Sequence, residues 1–289
     1  MISILHTADW QIGRVFAQFE PDDAAVLFEA RFSVVEQLAT IATDRGVDAI
    51  LVAGDVFDAQ TVADKTIRRL FNAMQGFTGT WVLMPGNHDA ALAESVWSRA
   101  RRLDVIPSNV VVCLEPKPVV VAGKFTILPA PLTQRHTYVD LTEWFAAHVS
   151  MDDLPRIGLA HGSVQGILPE DMDSANPIAA GRAEGADLAY LALGDWHGTK
   201  RVDGKTWYAG TPESDRFKAN ESGQALLVTI ETATLEPVVT VVPTGKFGWR
   251  QIEQQIAVDS DVDEVVRTLD AVVGSDVLHV RLSGACNLA

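Results

Sequence analysis

The sequence predicts an α/β fold in which a second β-sheet packs on the first and a small α/β unit follows. Three observations point there. Short apolar runs alternate with amphipathic helical stretches at the N-terminal end, the polar residues suited to chemistry fall on the loops just past those runs, and from Val110 onward the pattern changes to short β runs separated by Pro and Gly. At 289 residues the chain fits one large domain and a small one, since single cores stop growing near roughly 250 to 300 residues.

Taken in order, Ile2 to His6 reads as a strand and Asp22 to Arg45 as a helix, with Leu27, Val34, Leu38 and Ile41 at helical spacing and Gly46 as its stop. A second strand, Val47 to Ala53, runs into Gly54-Asp55, and a helical stretch follows through Ile67, Leu70 and Phe71 to Gly76. Next comes the strand Thr80 to Met84, which leads into Pro85-Gly86-Asn87-His88-Asp89. The β runs Val110 to Leu114, Val119 to Ala122 and Phe125 to Leu128 are expected to open the second sheet. Ile157 to His161 and Tyr190 to Asp195 are two more strand-then-loop units, and Trp207 to Gly210, Ala225 to Ile230 and Val238 to Val242 read as antiparallel β. Thr244-Gly245 reads as a hinge into a strand (Trp249 to Val258), a helix (Val262 to Val273) and a strand (Val277 to Leu282). The expected division is therefore 1–245 and a partial capping domain, 246–289, in which Gly284 to Ala289 reads as the approach to another element.

Composition narrows the class. A hydrophobic share of 47% and a charged share of 21% are ordinary for a soluble globular enzyme. The apolar run Ile2 to Leu5 is too short for a targeting segment or a bilayer span, so the expectation is a cytoplasmic protein with no membrane partner. Cys113 and Cys286 are the two cysteines, far apart and outside any metal-binding spacing, and both are expected to be plain buried thiols. His6 is expected to be buried and hydrogen-bonded, and His136, His148 and His279 to be surface or structural.

Five loops carry groups suited to hard divalent cations: Asp9 and Gln11, Asp55 with Asp58, Asn87 with His88 and Asp89, His161, and Asp195 with His197. A single Asp after a strand is often only a helix cap or turn former. The order and the strand-end placement of all five point to a site.

These segments, Asp9-Trp10-Gln11, Gly54-Asp55-Val56-Phe57-Asp58, Gly86-Asn87-His88-Asp89, Ala160-His161-Gly162 and Gly194-Asp195-Trp196-His197, resemble the calcineurin-like metallophosphoesterase signature. His6-Thr7-Ala8-Asp9-Trp10 and Gly210-Thr211-Pro212-Glu213 with Arg216-Phe217 resemble the SbcD-type DNA-repair exonuclease branch. The resemblance implies two β-sheets sandwiched by helices. It implies one metal held by Asp9, Gln11, Asp55 and His197 and another by Asp55, Asn87, His161 and Asp195, with Asp55 bridging. It further implies that His88 stabilises the transition state or protonates the leaving oxygen. Asp89 is expected to orient that imidazole as a carboxylate fixes a catalytic histidine, and Asp58, on the Gly-Asp-x-x-Asp frame, to support the site or contact substrate.

Two positions depart from the family pattern, which commonly has His where Gln11 and Asp195 stand. Oxygen donors in place of imidazole favour manganese, with magnesium as the alternative, over zinc. An amide is a weak ligand, so the ion at Gln11 is expected to bind more weakly than the other; the competing reading places a water at that position.

The resemblance implies a two-metal DNA exonuclease and endonuclease subunit working with an SbcC-like, SMC-type ATPase; a homodimer is compatible with it. The formal net charge of −15 runs against a nucleic-acid binder. Basic residues cluster nonetheless, at Lys65, Arg68 and Arg69, at Arg99, Arg101 and Arg102, at Lys200 and Arg201, and at Arg216 and Lys218. Arg14, Arg216 and Lys218 are the candidate DNA contacts, and weak intrinsic DNA affinity is expected. The competing functions are a phosphomonoesterase or cyclic-nucleotide phosphodiesterase using the same metals, and a non-catalytic scaffold that binds DNA or the ATPase.

Overall fold

A computed structural model describes residues 1–148, 153–167, 175–218 and 220–285. The N-terminal part runs β1 (Ile2–Thr7), α1 (Pro21–Arg45), β2 (Ala49–Ala53), α2 (Asp64–Ala73) with a closing 3-10 turn (Met74–Gly76), β3 (Thr80–Met84), α3 (Val96–Arg102) and β4 (Val110–Val112). The middle runs β5 (Val119–Val121), β6 (Phe125–Ala130), α4 (Trp144–Ala147), β7 (Arg156–His161), β8 (Ser163–Val164), β9 (Pro177–Ile178), α5 (Arg182–Gly185), β10 (Tyr190–Gly194), β11 (Lys200–Arg201) and β12 (Thr206–Tyr208). The chain continues through β13 (Gln224–Ile230), β14 (Pro237–Pro243), β15 (Gly248–Ile256), α6 (Asp259–Asp270) and β16 (Asp276–Gly284).

Two six-stranded sheets result, in the orders β14-β13-β1-β2-β3-β4 and β11-β12-β10-β7-β6-β5. Strand alternation explains why they stack. On β1 and β2, Ile2, Ile4, Ala49 and Leu51 face one way and meet Ile127, Ile157, Leu159 and Tyr190 of the second sheet. The alternate residues Leu5, Ile50 and Val52 face the other way, onto Val35 and Leu38 of α1 and Ile67 and Leu70 of α2. The far side of the second sheet packs Leu128, Leu191 and Leu193 on Phe145 of α4 and Ala183 of α5. The section is helix, sheet, sheet, helix.

α1 begins on Pro21 at its first turn, where a missing N–H costs nothing, and ends at Gly46 in the left-handed region (φ 59°) with its amide returned to Ala42 and Thr43. Among the described residues no helix is long and apolar enough to cross a membrane.

Two expectations change. The run at Val110 does not open the second sheet: β4 lies parallel to β3, with Leu83 opposite Val112, and the switch of sheets comes at β5. The region after β10 is not uniformly antiparallel either. β12 lies parallel to β10 and antiparallel to β11, while β13 returns to the first sheet beside β1. The last unit, β15-α6-β16, forms its own parallel pair and rests on the body through Trp249, which meets Phe19 and Phe217 edge to face and Phe16 at a tilt. Cys113 is buried, whereas Cys286 and the rest of the segment 286–289 lie outside the described residues.

Candidate metal centre

Parallel strands aim their C-terminal ends at one place, and here two sheets do so together. Asp9 and Gln11 follow β1, Asp55 follows β2, and Asn87 and His88 follow β3; opposite them His161 ends β7 and Asp195 and His197 follow β10. The loops after β1 and β2 are bound to each other by Asp9 N–H to Gly54 O (3.1 Å), Gln11 N–H to Asp55 O (3.0 Å) and Ile12 N–H to Val56 O (2.9 Å). Asp9, Gln11, Asp55 and Asp195 all have positive φ (54°, 50°, 52° and 100°). Such backbone is costly outside Gly and persists where the surroundings over-determine it.

Asp9, Asp55 and His161, all buried, offer ligand atoms that lie within 4.8 Å of one another. His161 Nδ1 donates to Ala53 O at 2.8 Å, so its Nε2 is the atom turned to the site. That Nε2 lies 3.6 Å from Asp55 Oδ1 and 3.7 Å from Asp195 Oδ1. The terminal amide atom of Asn87 stands 2.9 Å from the same Nε2 and 3.3 and 3.2 Å from the two Asp55 oxygens. With the Asn87 oxygen in that place, it and the two Asp55 oxygens converge on His161 Nε2, a meeting of acceptors that calls for a proton or a cation at its centre; with the nitrogen there, amide hydrogens stand in the cation's position. Gln11 adds a second sign. Its Nε2 donates to Asp55 Oδ2 at 2.9 Å, and its Oε1 is buried without a partner. Hard oxygen donors and one imidazole, one of them orphaned, fit a divalent ion.

The electrostatics agree. Burial pushes the His161 imidazole down, but the carboxylates of Asp55, Asp9 and Asp195 outweigh it and carry the group up to about 9. Burial raises Asp9 to about 6 against the pull of His197 and His161, and burial likewise raises Asp195. A pocket that charges its histidine and resists charging its carboxylates is short of positive charge.

His197 lies apart from the tight cluster. Its Nδ1 is 3.3 Å from Asp215 Oδ2, and Arg216 Nη2 lies 2.9 and 3.2 Å from its two ring nitrogens. His88, one-third exposed, has Nδ1 on the Asp58 carbonyl at 2.8 Å and Nε2 3.9 Å from Asp55 Oδ2. Asp89 does not reach that imidazole. It is fully buried and accepts from Gly86 N–H (2.7 Å) and Phe57 N–H (3.1 Å), so the expected orienting contact to His88 comes from the Asp58 backbone, and Asp89 fastens two loops. Asp58 turns its carboxylate to Arg14 at 3.7 Å.

Of the basic clusters, Arg69, Arg99 and Arg102 are spent on Glu29, Asp64 and Glu94. Arg14 and Arg216 border the centre, both on Asp215, and the Lys218 ammonium sits over the Trp196 ring at 4.6 Å. His6 is buried between Tyr190 Oη and Leu193 O.

Residue motifs do not single out Asp215 or Arg31. Asp215 is 1% exposed and its acidity is far above the usual carboxylate's: burial opposes this, but the His197 and Arg216 hydrogen bonds and the Arg31 charge prevail. Arg31 is fully buried on α1 and donates through Nη1 to Thr211 Oγ1 (3.0 Å) and Glu213 O (2.8 Å). The available signal is an arginine within the apolar stripe of Leu27, Val34 and Leu38.

The family model for calcineurin-like phosphoesterases matches residues 2–228. The SbcD subunit of nuclease SbcCD from Bacillus subtilis is 26% identical over 307 residues, which cover 90% of this chain and 75% of that protein. The protein of the same name from Escherichia coli K12 is 26% identical, with 97% of this chain and 85% of the other covered. A solved structure from Thermus thermophilus, of the protein TT1561, superposes with a TM-score of 0.50 at 13% identity over 83% of this chain and 98% of that one, a likeness of fold.

Proposed function

The chain belongs to the calcineurin-like phosphoesterases, and from that premise we propose that it is a two-metal DNA exonuclease and endonuclease subunit that acts with an SbcC-like, SMC-type ATPase. The observation that carries the reading is the meeting of Asp55, His161 and the Asn87 amide around one point, with the orphaned Oε1 of Gln11 beside it. Support for DNA as substrate comes from the relatives named as nuclease subunits, which align with nearly the whole chain.

Asp9, Gln11, Asp55 and His197 would hold one ion and Asp55, Asn87, His161 and Asp195 the other; the oxygen-rich set favours manganese, with magnesium as the alternative. Divalent cations supply Lewis acidity, easing formation of a hydroxide nucleophile at neutral pH and offsetting charge on the phosphoryl oxygens. The chain's own groups do the rest. Asp55, whose Oδ2 lies toward Gln11 and Oδ1 toward His161, would serve both ions. His88, held at Nδ1 by the Asp58 carbonyl, carries a proton at Nε2 to the leaving oxygen. Arg14 and Arg216 orient the phosphate from the rim. The unit β15-α6-β16 is read as a cap on the metal-binding part of the chain.

Incubating the protein and manganese with linear duplex DNA, single-stranded circles, cyclic nucleotides and a chromogenic phosphomonoester tests this reading. Cleavage of the DNA substrates, lost in Asp55→Ala and His88→Ala, is expected. Turnover of the cyclic nucleotides or the monoester alone would replace the nuclease reading, and no turnover at all would leave a scaffold.

A further inference from the structure

We infer that Asp215 is the positioning residue of the metal centre: its buried carboxylate holds His197 by Nδ1 and gathers Arg14 and Arg216 beside it. The inference rests on the proposal that His197 is a metal ligand. Asp215 Oδ2 lies 3.3 Å from His197 Nδ1, 3.0 Å from Arg14 Nη1 and 3.1 Å from Arg216 Nη2, and its Oδ1 accepts from Arg216 Nε at 2.9 Å. An imidazole that gives its Nδ1 proton to a carboxylate keeps Nε2 unprotonated, more basic and fixed in direction, which is the state a cation needs. The Arg216 Nη2 that also touches the ring stands at nearly equal distance from both nitrogens and so follows neither lone pair. The Nδ1 proton therefore belongs to Asp215.

The carboxylate is itself held from the core. Arg31 reaches out of α1 to Thr211 Oγ1 and Glu213 O, and its Nη2 lies 3.8 Å from Asp215. Thr211 N–H in turn returns to His197 O at 3.0 Å, so the two loops share one frame. Three guanidiniums, those of Arg14, Arg31 and Arg216, surround the one carboxylate, with Asp58 on the outer side of Arg14. Arg14 and Arg216, with side chains 25% and 42% exposed, are the members that reach solvent, where an anionic phosphate would arrive.

A merely structural partner of Arg31 would show the same contacts, so the test reads metal and tautomer. Manganese is titrated calorimetrically into the metal-free full chain, its Asp215→Asn variant and its His197→Ala variant. Asp215→Asn is expected to weaken one of two steps about 10- to 100-fold, the same step that His197→Ala removes, and to leave the other unchanged. Saturating manganese should restore hydrolysis of bis(p-nitrophenyl) phosphate in Asp215→Asn and not in His197→Ala. Unchanged steps in Asp215→Asn, whatever its melting temperature, would overturn the inference alone; unchanged steps in His197→Ala would overturn the ligand assignment beneath it. Should Asp215→Asn fail to fold, nitrogen-15 NMR of the magnesium-loaded wild type decides. His197 protonated at Nδ1 and bare at Nε2 is expected, and the opposite tautomer refutes the inference.

Discussion

The backbone at Gly54 runs directly beneath the imidazole of His161, so that a Cβ on Gly54 would overlap the ring. Its φ of +90° is also one that side chains rarely adopt. The ring cannot retreat, because its Nδ1 is bound to the Ala53 carbonyl one residue earlier. Gly54→Ala is expected to cost on the order of 2 to 4 kcal/mol through strain and overpacking, and to weaken manganese binding more than the loss of stability alone explains. Thermal unfolding and a metal titration on the same preparation check this; wild-type values in both would show that His161 is not held by that close approach.

An amide oxygen, which is what Gln11 has to offer, is a weaker donor than the carboxylates around it. With Nε2 given to Asp55 and Oε1 buried without a partner, the amide oxygen is the atom left for a cation. Manganese titration is expected to resolve two unequal steps. Gln11→Ala should weaken the looser step by about tenfold and spare the tighter one, while Gln11→Glu should tighten the looser step by adding a charge. Two steps untouched in Gln11→Ala would mean that water serves at that position.

Asp89 binds two backbone amides from different loops, Gly86 and Phe57, and no part of His88. Asp89→Ala strands both amides in the interior, at about 1 to 3 kcal/mol each; Asp89→Asn, which can still accept once, should cost less. Urea unfolding at equal m values separates them. Both variants should lower kcat, since Asn87 and His88 lie inside this clasp. Wild-type kcat in both variants would show that the clasp does not position Asn87 and His88.

The motifs are legible in the sequence because each couples a strand end to a residue type with hard donor atoms, and parallel strands deliver those ends to one edge. Asp215 and Arg31 are not, since their contacts join a helix of the first sheet to a loop far along the chain, and the break that Arg31 makes in the apolar stripe of α1 does not say which residue it meets. The placement of β4 is hidden for a similar reason: three valines announce a strand but not which neighbour it pairs with. α3 is passed over because it is short and carries Arg99, Arg101 and Arg102, while its start is set by the mutual bonds of Ser95 and Ser98 rather than the commoner acidic pattern.

Intrinsic DNA affinity follows from charge. The protein carries a formal net charge of −15; Arg14 and Arg216 border the centre, and Lys218, over the Trp196 ring, is the third candidate phosphate contact. Three phosphate contacts release about three counterions, so log Kobs against log salt should fall with a slope no steeper than about −3, and binding should be micromolar or weaker at physiological salt. Lys218→Ala should lower the slope by about one. Fluorescence anisotropy over a salt series measures both, and nanomolar binding by the isolated chain would refute dependence on a partner for delivery.

His6 gives the fold an acid-sensitive point on β1. It is fully buried, with Nδ1 3.0 Å from Tyr190 Oη and Nε2 3.2 Å from Leu193 O. Burial lowers its pKa to about 3, against a smaller upward pull from the Leu193 carbonyl. The unfolded chain takes up this proton near pH 6.5, whereas the native state refuses it until about pH 3. Between those values the unfolded state binds more protons, so stability is full above pH 6.5 and declines as pH falls toward 3. The slope from one such group is at most about 1.4 kcal/mol per pH unit, and the loss from pH 7 to pH 5 is about 2 kcal/mol. His6→Gln can still donate to Leu193 O and accept from Tyr190 Oη, but cannot titrate. Carboxylates contribute equally to both proteins, so the wild type should lose about 2 kcal/mol more than His6→Gln over that interval. Urea unfolding at each pH measures the difference, and equal losses would mean that the native imidazole is already charged at pH 5.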